Sequence, residues 1–238
     1  MNSYTDRFCE NNKEYLFANM MGPNAMRVTE ELTSYLPMRQ GMRILDLACG
    51  KGLSTILLAQ KYDATVFAAD LWISPTDNAA RFAAQGLDDR AFPFSVDVTK
   101  GLPFAQNYFD LIVCVDAYQY FGANAEMLPT LLSYLKKGGH IGVAVPGLQH
   151  EFDGVVPEPL APFIKLEYDF HSTDWWTKLW GQSAGAELIN CREMDCHDQA
   201  WGEWLQCTSP HAQEDIPMME AEGGHYFNHV QLVAKRKE

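Results

Sequence analysis

Short apolar runs alternate with amphipathic segments between residues 44 and 145 of this chain. Most of these runs end in a small or acidic residue, which is typical of strands buried on both faces of a parallel sheet. They predict strands over residues 44–48, 65–69, 92–96, 111–115 and 140–145. Because the segments between most of the strands have helical spacing, the pattern predicts a doubly wound α/β sheet.

Helical spacing also precedes the first strand. It covers residues 12–35, and Gly22 and Pro23 divide it into two pieces. We expect this N-terminal arm to fold over whatever ligand the first strand presents.

Two helices between the strands have recognisable ends. One begins after Ser74, which is placed to cap it, with Pro75 at its first position and Gly86 at its end. The other is predicted over residues 125–137, where the Gly138-Gly139 pair ends it.

The regular alternation stops after residue 145. Residues 146–172 are rich in proline and predict a cap or lid, and residues 173–184 predict a helix with three tryptophans. A sixth strand over 187–194, a second insertion over 198–224 and a last strand over 226–234 complete the chain. The sequence therefore predicts a mostly parallel seven-stranded sheet with insertions after strands five and six.

Charge and composition limit the class of partner. The net charge of −13 is a poor match to a phosphate backbone, so we expect no nucleic acid partner. No apolar run approaches the roughly 20 residues of a membrane span, and no signal peptide is visible at the start. Oligomeric state stays open, with a homodimer among the outcomes.

The six cysteines do not form a paired framework. We expect free thiols in a reducing cytoplasm. Cys191 and the Cys196-His197 pair do not have the spacing of a zinc site, so no metal is expected.

The most informative stretch runs from Arg43 to Gly52, where the first strand enters a small-residue turn before a helix. Gly50 and Gly52 allow a sharp turn and a close approach to a ligand. The strands that follow end at or beside acidic residues. These are Asp70, Asp97 and Asp116. Carboxyl ends of parallel strands meet at one edge of a sheet, so the turn and these carboxylates predict a ligand site.

The turn lacks the third glycine of a nicotinamide-binding fingerprint, which makes an oxidoreductase a weak alternative. Asp46, inside the turn segment, would repel a pyrophosphate but suits a ligand that carries an ammonium or sulfonium group. Asp70 comes eighteen positions after Gly52, close to the ~20 expected of an acid that binds ribose hydroxyls.

At this point the chain resembles the class I S-adenosylmethionine-dependent methyltransferases, and more narrowly their small-molecule, ubiquinone/menaquinone biosynthesis-like (type 11) subgroup. The resemblance covers residues 42–145 and depends on motifs in the family's order. These are residues 44–52, Ala69-Asp70, Asp97-Val98, Leu102-Pro103-Phe104, residues 108–112 and residues 135–139.

The resemblance implies a Rossmann-like methyltransferase fold and S-adenosyl-L-methionine as cofactor. It implies that the methionine end is held by Asp46, Ala48, Cys49, Gly50 and Gly52. It implies that Asp70, Leu71 and Trp72 hold the ribose and adenine, that Asp97 and Val98 contact the adenine, and that Val115 and Asp116 face the sulfonium and the acceptor. Ala48 departs from the family pattern, in which glycine is commonest. The implied organisation is one domain over 1–238, with an arm (1–41), a cofactor-binding half (42–146) and a lid and substrate-side half (147–238).

Methyl transfer from a sulfonium requires positioning and exclusion of water, and a base only where the acceptor must lose a proton. Candidate catalytic residues near the fourth strand and the lid are Asp116, Tyr120 and His171, with Tyr118 and His150 as further candidates. An aromatic wall from Tyr118, Tyr120, Trp175 or Trp176 would favour a cationic or planar acceptor. We expect residues 150–180 to enclose it.

Two other functions stay open. Cys191, Cys196 and Cys207 are the thiols that a metalloid or thiol methyltransferase would use. A protein that binds S-adenosylmethionine without transferring its methyl group is the non-enzymatic alternative.

Overall fold

The computed structural model describes residues 2–238. The strands are β1 (Arg43–Leu47), β2 (Thr65–Asp70), β3 (Ala91–Ser95), β4 (Phe109–Val115), β5 (Leu135–Leu148), β6 (Ala186–Glu193) and β7 (Phe227–Arg236). The helices are α1 (Tyr4–Asn19), α2 (Ala25–Ser34), α3 (Leu53–Tyr62), α4 (Pro75–Ala84), α5 (Gln119–Gly122), α6 (Met127–Tyr134), α7 (Thr173–Trp180), α8 (His197–Trp204) and α9 (Pro210–Glu222). None of the helices described in this range has the length and apolar character needed to cross a bilayer.

The seven strands form one sheet in the order β3-β2-β1-β4-β5-β7-β6. Strands β1 to β5 pair in parallel, whereas β7 runs antiparallel to both β5 and β6. The predicted mostly parallel seven-stranded α/β sheet is therefore confirmed. The chain builds outward from β1 to β3 and then returns to place β4 on the other side of β1. Ligands of such sheets bind beyond the carboxyl ends of the strands at this reversal.

Helices cover both faces of the sheet, and side chains of β1 alternate between two apolar layers. Ile44 packs in the layer that includes Ile56 of α3, whereas the next residue, Leu45, packs in the layer with Leu131 and Trp176. The unbroken apolar runs of the sequence thus mark strands buried on both faces. The result is a rigid frame for the loops at the carboxyl edge.

The predicted helix over 125–137 is too long, and its glycine pair does not end a helix. Helix α6 ends at Tyr134, because Leu135 already pairs with Phe109 as the first residue of β5. Gly138 has φ +74°, and a β-carbon on Gly139 would lie 2.8 Å from a backbone carbonyl oxygen. The two glycines form an irregular bend inside the strand, where the pairing with β4 shifts register.

The other end of β5 also differs from the expectation. The strand continues to Leu148, so Pro146 lies inside it opposite His229 rather than in a lid. The insertion that follows has its own small apolar cluster around Leu160 and Ile164. The second insertion, for which the sequence predicted no particular elements, folds as α8 and α9.

The first residues of α1 and α4 differ in detail from the predicted helix starts. Helix α1 begins at Tyr4, eight residues before the expected start, because Ser3 and Asp6 form a reciprocal capping box. Ser74 occupies the cap position of α4 as predicted, but its side chain makes no capping hydrogen bond.

Candidate functional site

The turn between β1 and α3 follows a left-handed path. Ala48 has φ +56°, Gly50 +53° and Gly52 +84°. A β-carbon on Gly50 would lie 3.1 Å from the sulfur of Met21, and one on Gly52 would overlap the ring of Phe82. Gly50 therefore permits the arm to approach the turn, whereas Gly52 permits α3 to pack on α4.

Asp70 connects this turn to the loop after β2. Its Oδ2 accepts a hydrogen bond of 2.8 Å from the backbone N–H of Gly50. Its Oδ1 accepts two more of 2.8 Å from the N–H groups of Trp72 and Ile73. The carboxylate is buried, and both lone pairs of Oδ1 are used, whereas Oδ2 keeps one lone pair for a ligand.

Asp46 lies beneath the turn and is buried. Its Oδ2 accepts a hydrogen bond of 2.7 Å from the Ser54 hydroxyl and a second from Thr55. Its Oδ1 is buried without a hydrogen-bond partner among the described residues. Burial raises the pKa of Asp46 to about 6, although the Thr55 and Ser54 hydroxyls act in the opposite direction.

A cavity of about 380 Å³ opens where these loops meet, at the carboxyl ends of β1, β2 and β4. Eleven of the residues singled out in the sequence line it. They are Ala48, Cys49, Gly50, Asp70, Leu71, Trp72, Asp97, Val98, Val115, Asp116 and Tyr120. Parallel strands with acidic ends therefore bring the predicted set together, as the sheet geometry requires.

Asp46, Gly52 and His171 do not line the cavity, and neither do the further candidates Tyr118 and His150. Asp46 and Gly52 support the turn from beneath. His171 lies elsewhere: its ring stacks on Trp175 at 3.6 Å, and its Nδ1 is 3.0 Å from the Glu151 carboxylate. The structure does not bring it to Asp116 and Tyr120.

The expected aromatic wall and lid are also placed differently. Tyr118 and Trp176 are buried in the core, and no residue from 150 to 180 lines the cavity. The aromatic side chains at its mouth are Trp72 and Tyr120, whose ring centroids are 6.2 Å apart. Both rings are largely exposed, with relative accessibilities of 75% and 66%.

The N-terminal arm contributes a wall that the motifs did not assign. Asn19, Met21, Gly22, Pro23 and Ala25 line the cavity from the loop between α1 and α2. The break at Gly22-Pro23 was the sequence signal for this loop, and the expectation that the arm folds over the site agrees with its position.

Asp116 leads to a second group that the sequence reading missed. Its backbone is left-handed, with φ +55°, and its Oδ1 is 3.1 Å from Nε2 of His229 on β7. Nδ1 of His229 is in turn 3.0 Å from Nδ1 of His197, at the start of α8. A histidine in the last predicted strand, beside Val230, Leu232 and Val233, was the available signal.

The lining is acidic and suits a cation. Asp70, Asp97 and Asp116 line the cavity and Asp46 lies behind it, whereas Lys51 is the single lysine or arginine among the lining residues. The Lys51 ammonium is held 3.0 Å from the carbonyl of Ala18. Asp46 adds negative charge behind the turn, which favours a ligand with a positively charged group at this end of the cavity.

The cysteines do not form a comparable site. Among residues 2–238, no three His, Cys, Asp or Glu side chains are grouped to hold a metal ion. Burial raises the pKa of Cys191, Cys196 and Cys207, which disfavours the thiolates that metalloid chemistry needs.

Comparison with known proteins agrees with this geometry. Residues 44–139 match the family model described as a methyltransferase domain. The similarity concerns this part of the chain, which holds the predicted motifs. The family predicted from the sequence motifs is therefore confirmed, and the matched range extends from β1 to the glycine bend of β5.

Relatives of the methyltransferase domain match it over a similar region. The chain is 28% identical over 141 residues to methyltransferase GfsG of Streptomyces halstedii, which covers 59% of this chain and 50% of that protein. It is 30% identical over 144 residues to trans-aconitate 2-methyltransferase of Delftia acidovorans, covering 59% of this chain and 51% of the relative. The chain thus spans about half the length of these relatives.

A solved structure resembles the whole chain. Phosphoethanolamine N-methyltransferase 2 of Haemonchus contortus, in complex with phosphomonomethylethanolamine and S-adenosylhomocysteine, has a TM-score of 0.72 at 16% identity. The match covers 100% of this chain and 61% of that one. At this identity the likeness concerns the fold.

Proposed function

We propose that this protein is an S-adenosylmethionine-dependent methyltransferase that acts on a small-molecule acceptor by in-line methyl transfer. The observation that carries the proposal is one cavity bounded by the left-handed turn 48–52 and by three acidic strand ends. A cationic sulfonium nucleoside needs that combination of close backbone approach and negative charge.

Each part of the cavity has a role in this proposal. Asp70 accepts a hydrogen bond from a ribose hydroxyl with the lone pair that its backbone donors leave free on Oδ2. The turn holds the methionine end, with the Asp46 carboxyl group behind it, while Trp72 and Val98 flank the adenine. When bound, the cofactor supplies a methyl group on a good leaving group. The chain itself orients the two reactants and excludes water.

The acceptor enters beside Asp116 and Tyr120. These residues line the cavity at the end of β4, and the exposed rings of Trp72 and Tyr120 flank its mouth. A cavity of about 380 Å³ lies in the range of small-ligand sites. The net charge of −13 argues against nucleic acid as the acceptor, and the six free cysteines suit a reaction in the reducing cytoplasm.

Calorimetric titration with S-adenosylmethionine tests the proposal. We expect micromolar binding, and we expect Asp70→Ala to weaken it at least tenfold, because the ribose loses its acceptor. Asp88→Ala is the matched control, since Asp88 is exposed and does not line the cavity. Asp70→Asn and a thermal melt separate lost ligand contacts from a disordered turn.

Two results would refute the proposal: absence of binding to the natural chain, or full affinity in Asp70→Ala. A second measurement separates an enzyme from a protein that only binds the cofactor. The low-molecular-weight fraction of a cell extract is added as a source of acceptor, and an enzyme then releases S-adenosylhomocysteine.

A further inference from the structure

Asp116, His229 and His197 form a continuous hydrogen-bonded chain that begins at the cavity. Asp116 lines the cavity, and its side chain keeps 18% of its accessibility. Only Oδ1 of this carboxylate is used, by Nε2 of His229 at 3.1 Å. Oδ2 has no hydrogen-bond partner in residues 2–238, so it is free for a ligand.

The proton positions in this chain follow from its chemistry. A carboxylate only accepts hydrogen bonds, so Nε2 of His229 must carry the proton it donates to Asp116. A neutral His229 then has a bare Nδ1, which must accept. Because Nδ1 of His197 is 3.0 Å away, it must be the donor. Asp116 and His197 therefore favour the same tautomer of His229, and the hydrogen bond from His229 orients Asp116.

Burial makes this arrangement unusual for a merely packed core. His229 on β7 has no accessible surface, and His197 on α8 keeps 8%. Burial, and then the neighbouring His229, lower the pKa of His197 to about 4, which keeps it neutral near pH 7. Burying two adjacent imidazoles stabilises the fold less than burying apolar side chains would. We therefore attribute the pair to a function rather than to stability.

We propose that Asp116 is the base that takes a proton from the methyl acceptor, and that His229 and His197 are positioning residues that hold it ready. This inference rests on the proposed function. It narrows the acceptor to a group that has a proton to give, such as a hydroxyl, an N–H amine or an acidic C–H. A tertiary amine or a thioether has none.

The step balances without a further reactant. The acceptor's X–H bond breaks as Oδ2 of Asp116 takes the proton, and the X–CH₃ bond forms with the released electron pair. The S–CH₃ bond breaks and its electron pair stays on sulfur as a neutral thioether. Asp116 later returns its proton to water through the open side of the cavity.

Several other titratable groups lie near these three side chains. Asp198 of α8 and Glu222 at the end of α9 act to raise the pKa of His197, against the larger effect of burial. Asp116 acts to raise the pKa of Cys196 and of Tyr120. None of these four donates to Asp116, so replacing His229 removes the single side-chain donor that this carboxylate has in the described structure.

His229→Leu and His229→Gln test the inference in the full chain. The rate of S-adenosylhomocysteine release is followed from pH 5 to 9, at saturating S-adenosylmethionine, with the low-molecular-weight extract fraction as acceptor. We expect His229→Leu to lose at least tenfold in rate and to shift the acidic limb to higher pH, because a carboxylate without its donor is more easily protonated. His229→Gln keeps an N–H donor and should recover part of both losses.

The outcomes separate this inference from the proposed function. Calorimetric affinity for S-adenosylmethionine should stay within about twofold in both variants. If His229→Leu keeps the natural rate, or loses rate with an unshifted acidic limb, Asp116 does not depend on His229 and the inference is wrong. If the natural chain binds no cofactor or releases no product, the proposed function fails and the inference falls with it.

A spectroscopic readout needs no acceptor. Long-range ¹H–¹⁵N correlation spectra of the complex with S-adenosylhomocysteine should show His229 protonated on Nε2 alone and His197 on Nδ1 at pH 7. His197→Phe removes the donor to Nδ1 of His229, so the ¹⁵N resonance of that nitrogen should move while Nε2 stays protonated toward Asp116. A His229 that carries its proton on Nδ1 would overturn the assignment.

Discussion

Ala48 is the one residue of the turn 48–52 that combines a side chain with a positive φ, +56°. That conformation costs an alanine about 1 kcal/mol that a glycine does not pay. We expect Ala48→Gly to raise the free energy of unfolding by up to about 1 kcal/mol, partly offset by the freer unfolded chain. Urea unfolding measures it.

Ala80 provides the matched control for that change. It is exposed inside α4, where Ala80→Gly should lower stability by about 1 kcal/mol. Equal losses at both positions would contradict the strained turn.

Single residues also show what the sequence could and could not predict. Strand ends place Asp70, Asp97 and Asp116 at one edge whatever the details of packing, so the lining was predictable. His229 was not, because its role depends on which strand lies next to β5, and β7 is reached only after two insertions. The prediction of His171 as a catalytic residue was wrong for a similar reason. It follows the predicted lid in the sequence, but this position does not determine how far it lies from the cavity.

Among the secondary-structure elements, α2 and α8 together hold the arm over the cavity. Arg27 of α2 is buried and binds the Glu203 carboxylate with two hydrogen bonds, while its Nη1 is 3.1 Å from Asp6 of α1. Asn24 caps α2 and donates to Glu203 as well. The loop that lines the cavity lies between these contacts, so its position depends on them.

Arg27→Lys should therefore loosen the arm. Lysine keeps the charge but cannot bind Glu203 and Asp6 with the same planar set of donors. We expect faster hydrogen exchange across α1 and α2 and about tenfold weaker binding of S-adenosylmethionine.

Arg39→Lys is the control for that variant, because Arg39 is 72% exposed and its ion pair with Asp110 spans 3.5 Å. Exchange rates in the arm that match in the two variants would mean that Arg27 does not hold it.

The same elements show where local patterns fail. The apolar spacing of residues 125–137 fits a helix, yet the last three residues belong to β5, because pairing with Phe109 competes with the final helical turn. Glycine pairs end helices and also form bends in strands, and only the partner strand decides between them.

Across the whole chain, the half that carries β1 to β5 was predictable, since each short connection leads back to the same sheet. The second half was predicted only in outline. Its insertions pack among themselves around Leu160 and through α8 against the arm, and such long-range contacts leave no periodic signal in the sequence.

Stability of the whole fold should depend on pH through Asp46. Its pKa rises from 3.8 to about 6 on folding, so the stability linked to its proton is full below pH 3.8 and is lost as the pH rises through about 6. Two pKa units correspond to about 3 kcal/mol.

An asparagine side chain cannot ionise, so the unfolding free energy of Asp46→Asn minus that of the natural chain should grow by up to this amount between pH 4 and 7. Contributions shared by both proteins, such as that of Glu30, cancel in the difference. Asp88→Asn, at an exposed carboxylate, should give a flat difference, and a flat difference for Asp46→Asn would show that the buried carboxylate is not destabilised by its surroundings.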